Sequence, residues 1–255
     1  MRYEILGPLR VVDERGESSI SARKIEMLLA VLVVRANRAV THDQLITEIW
    51  GEDPPRRVTA GLHVYVSHLR KFLSRPGRTG NPIVTCTPGY MLRLGDDELD
   101  AEVFLRLVRE GRECVAQGRD DRACEFLEES LALWRGPVLA DMQCGALLDG
   151  FVTWLTETRL ECAELLVDAQ LRLGRHREII GRLYSLVAEN PLRESFRRQL
   201  MLALYRSERT ADALKVYQSA RRALNDELGL DPCRSLQDLQ RQILAADRQL
   251  DLCTA

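Results

Sequence analysis

From residue 21 onward, apolar side chains return at helical spacing: Ile25, Leu28, Leu29, Leu32 and Val33 share one broad face. The pattern predicts a first helix over residues 21–36, with Ser21 as its N-cap. Ahead of it, Tyr3-Glu-Ile-Leu-Gly-Pro-Leu-Arg-Val-Val12 sets aliphatic and β-branched residues around a Gly-Pro break, which reads as strand, turn, strand. Thr41-His-Asp-Gln44 has the capping-box form, and Leu45, Ile46, Ile49 and Trp50 behind it make a short second helix closed by Gly51. Asp53-Pro54-Pro55-Arg56-Arg57 then enforces a loop, because proline lacks an N–H and drives the residue before it out of helical conformation. Leu62, Val66, Leu69 and Leu73 form a single stripe, so a third helix over 58–74 packs that side on the first two. Ile83-Val-Thr-Cys-Thr87 and Tyr90-Met-Leu-Arg-Leu94 flank Pro88-Gly89 as the arms of a hairpin. Three helices, a small sheet and a hairpin make a winged helix.

Beyond Gly95-Asp-Asp-Glu-Leu-Asp100 the chain reads as helix throughout, which places a domain boundary between residues 1–95 and 96–255. Gly174 as the turn between two antiparallel helices, and Pro191 as the end of the second, set the phase of a 34-residue tetratricopeptide unit. Ala213, Tyr217 and Ala220 follow Ile179, Leu183 and Leu186 by 34 residues, at helix-packing positions of the next unit. A fainter copy has Gly111, Gly118 and Ala123 in the matching places and ends at Gly136-Pro137. The stretch 138–158, containing Trp154, interrupts the array. A plain helical bundle is the other packing open to this pattern. The expected fold class is mainly α with a small β component: a winged helix-turn-helix domain followed by an all-α, tetratricopeptide-like domain.

Charge sharpens this division. The net charge of −2 over 255 residues conceals 14 Lys and Arg against 9 Asp and Glu in residues 1–95, and 22 against 29 in the remainder. Residues 54–95 hold Arg56, Arg57, Arg70, Lys71, Arg75, Arg78 and Arg93 without a single acid. A polyanion is the partner such a stretch suits; the bland reading is a solvated basic face. The longest uninterrupted apolar run, residues 27–34, falls far short of the roughly 20 residues of a membrane span. With no secretory leader at Met1-Arg2-Tyr3-Glu4 and seven cysteines in no Cys-x-x-Cys pair, a cytosolic protein with reduced thiols is expected.

The third helix carries the candidate chemistry on the side away from its stripe, where Ala60, His63, Val64, Ser67, Arg70, Lys71 and Ser74 line up. His63, Ser67 and Arg70 suit donors and acceptors on base edges, and Ala60 and Val64 suit thymine methyls. Arg70 is the first choice, since a bidentate arginine on guanine discriminates by about 1–3 kcal/mol. Thr59 and Lys71 are assigned to the phosphate backbone. So are Arg23 and Lys24 in the opening turn of the first helix, whose free N–H groups also favour an anion. A solvent-facing His63 without a contact fits the pattern equally well. Catalysis finds little support: Ser67 and His68 point about 100° apart on a helix, and the four histidines have no metal-ligand spacing. No cofactor or metal is expected.

Leu45-x-x-x-Ile49-Trp50-Gly51, His63-Val-Tyr-Val-Ser-His-Leu-Arg-Lys71 and Ile83-Val-x-x-x-Pro-Gly-Tyr90 together resemble the OmpR-type winged helix. Joined to an acidic, tetratricopeptide-like domain ending in Glu227-Leu-Gly-Leu-Asp-Pro232, almost the whole chain is similar to the Streptomyces antibiotic regulatory protein family. That resemblance implies a cytoplasmic, nucleoid-associated activator. Its head-to-tail protomers would bind direct repeats in double-stranded promoter DNA and recruit RNA polymerase holoenzyme, through sigma factor and core subunits, to antibiotic-biosynthesis genes. Residues 96–255 would be its bacterial transcriptional activation domain. The same resemblance turns the loop Glu52, Asp53, Pro54, Pro55, Arg56 and Arg57 toward the polymerase and lays Trp50 against the DNA backbone, although Trp50 also reads as a core-edge aromatic.

One departure affects the wing. The family pattern carries arginine before Pro-Gly-Tyr, whereas Cys86 and Thr87 stand here, leaving Arg78 or Arg93 to make the backbone contact. No receiver domain is expected ahead of the first strand and no Gly-x-x-x-x-Gly-Lys-Ser/Thr loop occurs in these 255 residues, so control through protein abundance is the expectation. The rival reading is a helical-repeat interaction scaffold whose basic domain is a non-specific DNA anchor; a footprint at a defined promoter separates the two.

Overall fold

The computed structural model describes residues 1–74, 80–140, 142 and 145–250. The chain divides into two compact units, neither continuous in sequence: residues 1–107 with 129–160, and residues 108–128 with 161–255.

The first unit opens with β1 (Arg2–Glu4), β2 (Arg10–Asp13) and β3 (Gly16–Ser18), which pair antiparallel in sequence order. The Gly-Pro break falls between β1 and β2, as the pattern requires. Next come α1 (Arg23–Val34), β4 (Val40–Thr41), α2 (His42–Trp50) and α3 (Val58–Phe72). The wing follows as β5 (Ile83–Cys86) and β6 (Gly89–Leu92), and β7 (Glu98–Leu99) returns parallel to β1. The sheets run β3-β2-β1-β7 and β4-β6-β5. Leu28, Leu29, Leu32, Leu45, Leu62, Leu69 and Leu73 are fully buried, so the three helical stripes meet in one core.

Local chemistry explains most boundaries. Gln44 N donates to Thr41 Oγ1 at 3.2 Å while Thr41 N donates to Gln44 Oε1 at 3.1 Å, completing the anticipated capping box. Gly51 closes α2 at φ 70°. The first helix corrects the expectation: its N-cap is Ala22, with no side-chain cap, and Ser21 lies outside it, exposed. The hairpin also shifts by one residue. Cys86 pairs with Gly89, so Thr87 and Pro88 form the two-residue turn and Gly89 already belongs to the strand.

A buried carboxylate at the start of α4 (Asp100–Ala116) anchors the first sheet. Asp100 accepts the Ile5 N–H through Oδ1 and Oδ2, both at 2.9 Å, and the Leu6 N–H through Oδ2 at 3.0 Å. Beside it, buried Glu4 pairs with Arg2 and Arg10 and lies 3.3 Å from Arg135 Nε. Burial alone would raise the Glu4 carboxyl, but hydrogen bonds and charges of Arg10 and Arg2 outweigh it and hold the group below its usual 4.5. Its stabilisation is therefore present above that value and is lost as pH falls through the depressed one. Glu4→Gln should cost about 1–2 kcal/mol at neutral pH, with the melting-temperature gap to wild type closing in acid. A gap that held constant down the titration would show that the Glu4 charge contributes nothing.

The second unit takes the rest of α4, most of α5 (Asp120–Ala132), the later turns of α6 (Ala146–Arg172), and α7 (His176–Glu189), α8 (Glu194–Arg206), α9 (Thr210–Leu228) and α10 (Arg234–Leu244). Positive-φ residues Gly118, Gly174 and Glu208 make the turns of the helix pairs, and Glu208 follows Gly174 by 34 residues. Ile179, Leu183, Ala213, Tyr217 and Ala220 lie in one buried cluster, with Leu186 packed against it. Gly111 admits α5: a Cβ there would sit 2.6 Å from Leu127 Cδ2. Cys114, Cys124 and Cys162 are buried and Cys233 is exposed. No helix of the described residues is long and apolar enough to cross a membrane.

Candidate nucleic-acid interface

The helical stripe of α3 buries Leu62, Val66 and Leu69 and thereby fixes what its other side presents. Thr59, Ala60, His63, Val64, Ser67 and Lys71 are all exposed, Val64 to 51%. Fifteen residues give this face a length of roughly 22 Å, matched to an element lying in a major groove. Arg57, the N-cap, supplies no side-chain cap. Val58 N donates to Pro55 O and Gly61 N to Arg57 O, so the N–H groups of Thr59 and Ala60 are left at the open end of the helix.

Arg70 departs from expectation. It is half-buried, its Nε donating to Ile83 O at 3.2 Å and its Nη2 to Thr85 Oγ1 at 2.8 Å, with the guanidinium 5.8 Å from the Tyr90 ring centre. The fork is turned onto the wing instead of standing free among the other exposed groups. Asn81 completes the tie, donating from Nδ2 to Arg70 O and accepting the Ile83 N–H. These bonds fix how the hairpin leans on α3.

Two aromatic groups flank the face. Trp50 at the end of α2 stacks on Tyr65 of α3, ring centres 5.5 Å apart and planes within 6°, and Lys24 Nζ sits 5.0 Å from the indole centre. Stacking and the cation hold Trp50 half-exposed, in a basic setting at the junction of three helices. On the other side His42, His63 and Tyr90 form a ring cluster, His42 lying 6.0 Å from His63 and 5.3 Å from Tyr90. Sequence spacing assigns Tyr65, His42 and Tyr90 no role. All three stood within or beside the motifs, but linear spacing carries no sign of which rings meet.

The remaining cations are spread around this core. Arg56, Arg57, Lys71 and Arg93 are exposed and, among the described residues, in no ion pair. Arg23 is exposed in the first turn of α1. Glu52, Asp53, Pro54 and Pro55 are exposed beside Arg56 and Arg57 in the loop between α2 and α3. Cys86 is half-buried at the wing and Thr87 exposed at its turn, while Arg78 lies outside the described residues. The surface joins hydrogen-bonding groups on an exposed helix to exposed cations, which equips it for a phosphate-lined groove.

Comparison with known proteins gives two adjoining matches. The family described as transcriptional regulatory protein, C terminal, matches residues 17–92, and the bacterial transcriptional activator domain matches residues 99–244. The chain is 37% identical to the transcriptional regulator RedD of Streptomyces coelicolor, over 100% of its own length and 73% of RedD. It is 38% identical to the regulatory protein AfsR of Streptomyces griseus over 98% of its length, but spans only 25% of AfsR. The solved structure of Mycobacterium tuberculosis EmbR in complex with a low-affinity phosphopeptide superimposes with a TM-score of 0.91 at 34% identity, covering 96% of this chain and 65% of that one.

Proposed function

The chain belongs to the Streptomyces antibiotic regulatory protein family, which joins an OmpR-type winged helix to a bacterial transcriptional activator domain, and from that premise we propose that it is a sequence-specific activator of an antibiotic cluster. The observation carrying the proposal is the exposed face of α3, with His63 and Ser67 available for base edges and with Lys71 and Arg93 nearby, exposed and in no ion pair among the described residues. Residues 1–95 act as the DNA-binding domain and 96–255 as the activation domain. The target is a promoter of an actinorhodin-like polyketide cluster, bound at direct repeats by head-to-tail protomers in the cytoplasm.

Ala60, His63, Val64 and Ser67 read bases in this scheme. Arg70 joins them by exchanging its Thr85 bond for a guanine edge. Arg23, Lys24, Trp50, Thr59, Lys71 and Arg93 meet phosphates. The stack on Tyr65 supports Trp50 in that role. Glu52, Asp53, Pro54, Pro55, Arg56 and Arg57 face RNA polymerase holoenzyme, which the protein recruits through sigma factor and core subunits.

Footprinting on cluster promoters, with and without holoenzyme, tests the scheme. Lys71→Ala should weaken binding to every sequence and reduce the salt slope by about 1. Ser67→Ala should relax choice at one base pair by about 1–3 kcal/mol. Combined Arg56→Ala and Arg57→Ala should keep the footprint and lose the transcript. Binding without sequence preference in the wild type would instead favour the scaffold with a non-specific anchor.

A further inference from the structure

A cavity of about 600 Å³ opens within the first unit, where the carboxyl end of α1 meets the amino ends of α4 and α6. Its apolar wall includes Leu105 and Leu147 and the aromatic pair Phe151 and Trp154. Those two ring centres are 5.6 Å apart, and Trp154 is 49% exposed, leaving an indole face open to a guest. Arg35 and Arg38 line the same space.

The two arginines distinguish this cavity from an ordinary surface groove. Neither side chain has an ion pair or hydrogen bond among the described residues. Elsewhere in the same unit Arg2, Arg10 and Arg135 all gather on Glu4. Glu102, exposed in the first turn of α4, is the one carboxylate among the lining residues, and the two arginines outnumber it.

We infer that this cavity is a binding site for a flat aromatic anion, its ring system stacked on Trp154 and its carboxylate or sulfonate held by Arg35 and Arg38. Its size falls within the roughly 300–1,000 Å³ of ligand pockets. A planar guest uses the indole face, and charge-assisted hydrogen bonds to two guanidinium forks orient it. An aliphatic anion would forgo the first contact and a neutral arene the second.

Titrating the full chain with anilinonaphthalene sulfonate tests this, reading probe emission and tryptophan quenching, with neutral phenylnaphthylamine titrated in parallel. The sulfonate should bind saturably, one per chain. An Arg35→Gln, Arg38→Gln double variant should weaken it about tenfold while moving the neutral probe less than about twofold. Trp154→Leu should weaken both probes. All three side chains are exposed, so an unchanged melting temperature confirms that each variant is folded. Absence of saturable binding to the folded wild type, or a sulfonate affinity untouched by the double variant, would overturn the assignment.

Discussion

Gly89→Ala is expected to lower the stability of the first unit by roughly 3 kcal/mol and to abolish the footprint at temperatures where wild type still binds. Gly89 is buried in β6 where the strand crosses β4. A Cβ at this position would overlap the Val40 carbonyl oxygen and lie 2.9 Å from Thr41 Cα. Both neighbours are backbone, and Thr41 is also the cap of α2, so neither can swing aside as a side-chain end can. Relief requires β4 and β6 to part, which would release the wing from α2: His42 N donates to Pro88 O across the same junction. Thermal unfolding followed by circular dichroism reads the loss, and a melting temperature within about a degree of wild type would refute the close approach. A matched Gly80→Ala, where a Cβ would meet nothing within 4 Å but sits at φ 90°, should show only the smaller cost of backbone strain.

Asp100→Ala should be at least as damaging, about 4 kcal/mol, because it strands two buried donors. Ile5 and Leu6 are fully buried, and the Asp100 carboxylate takes both of their N–H groups. Arg135 Nη2, 3.8 Å away, loses a counter-charge as well. Asp100→Asn retains one acceptor oxygen and turns an amide N–H₂ toward the other donor, so about half the loss is expected. The pH dependence of that variant adds a second readout. Burial pushes the Asp100 carboxyl above the usual 3.8, partly countered by the Ile5 and Leu6 N–H groups and by Arg135. A carboxyl raised by folding contributes stability that is complete below its unfolded value and declines as pH climbs through the folded one. The deficit of Asp100→Asn should therefore be wider in acid than at neutrality, opposite in sense to Glu4→Gln. Chemical denaturation at a series of pH values measures both, and a deficit independent of pH would remove Asp100 titration from the account.

Much of this protein was readable in one dimension. The apolar stripes of α1 and α3, the Thr41 capping box, the break at Pro54-Pro55 and the hairpin pattern each report burial or backbone geometry within a single element, and such information is local. The glycine turn at 174 and the 34-residue spacing behave the same way. Short strands escaped: β4 and β7 have two residues each, too few for alternation to appear, and both exist because another strand offers its free edge. The Ser21 cap also failed, since a cap-forming residue type does not fix the residue at which a helix begins.

Sequence by itself determined which faces are apolar, where the chain must turn, and that the basic stretch has no acids of its own. Only tertiary structure decided which cations remain available, because a guanidinium is captured by whatever acceptor folding brings near it. Arg70 is drawn to Ile83 O and Thr85, and Arg135 to Glu4, through neighbours 13 to 131 residues distant, while Lys71, one position from Arg70, is left exposed. Periodicity tells a side chain which way to point; the partner waiting there is set by the packing of elements that no spacing along the chain connects.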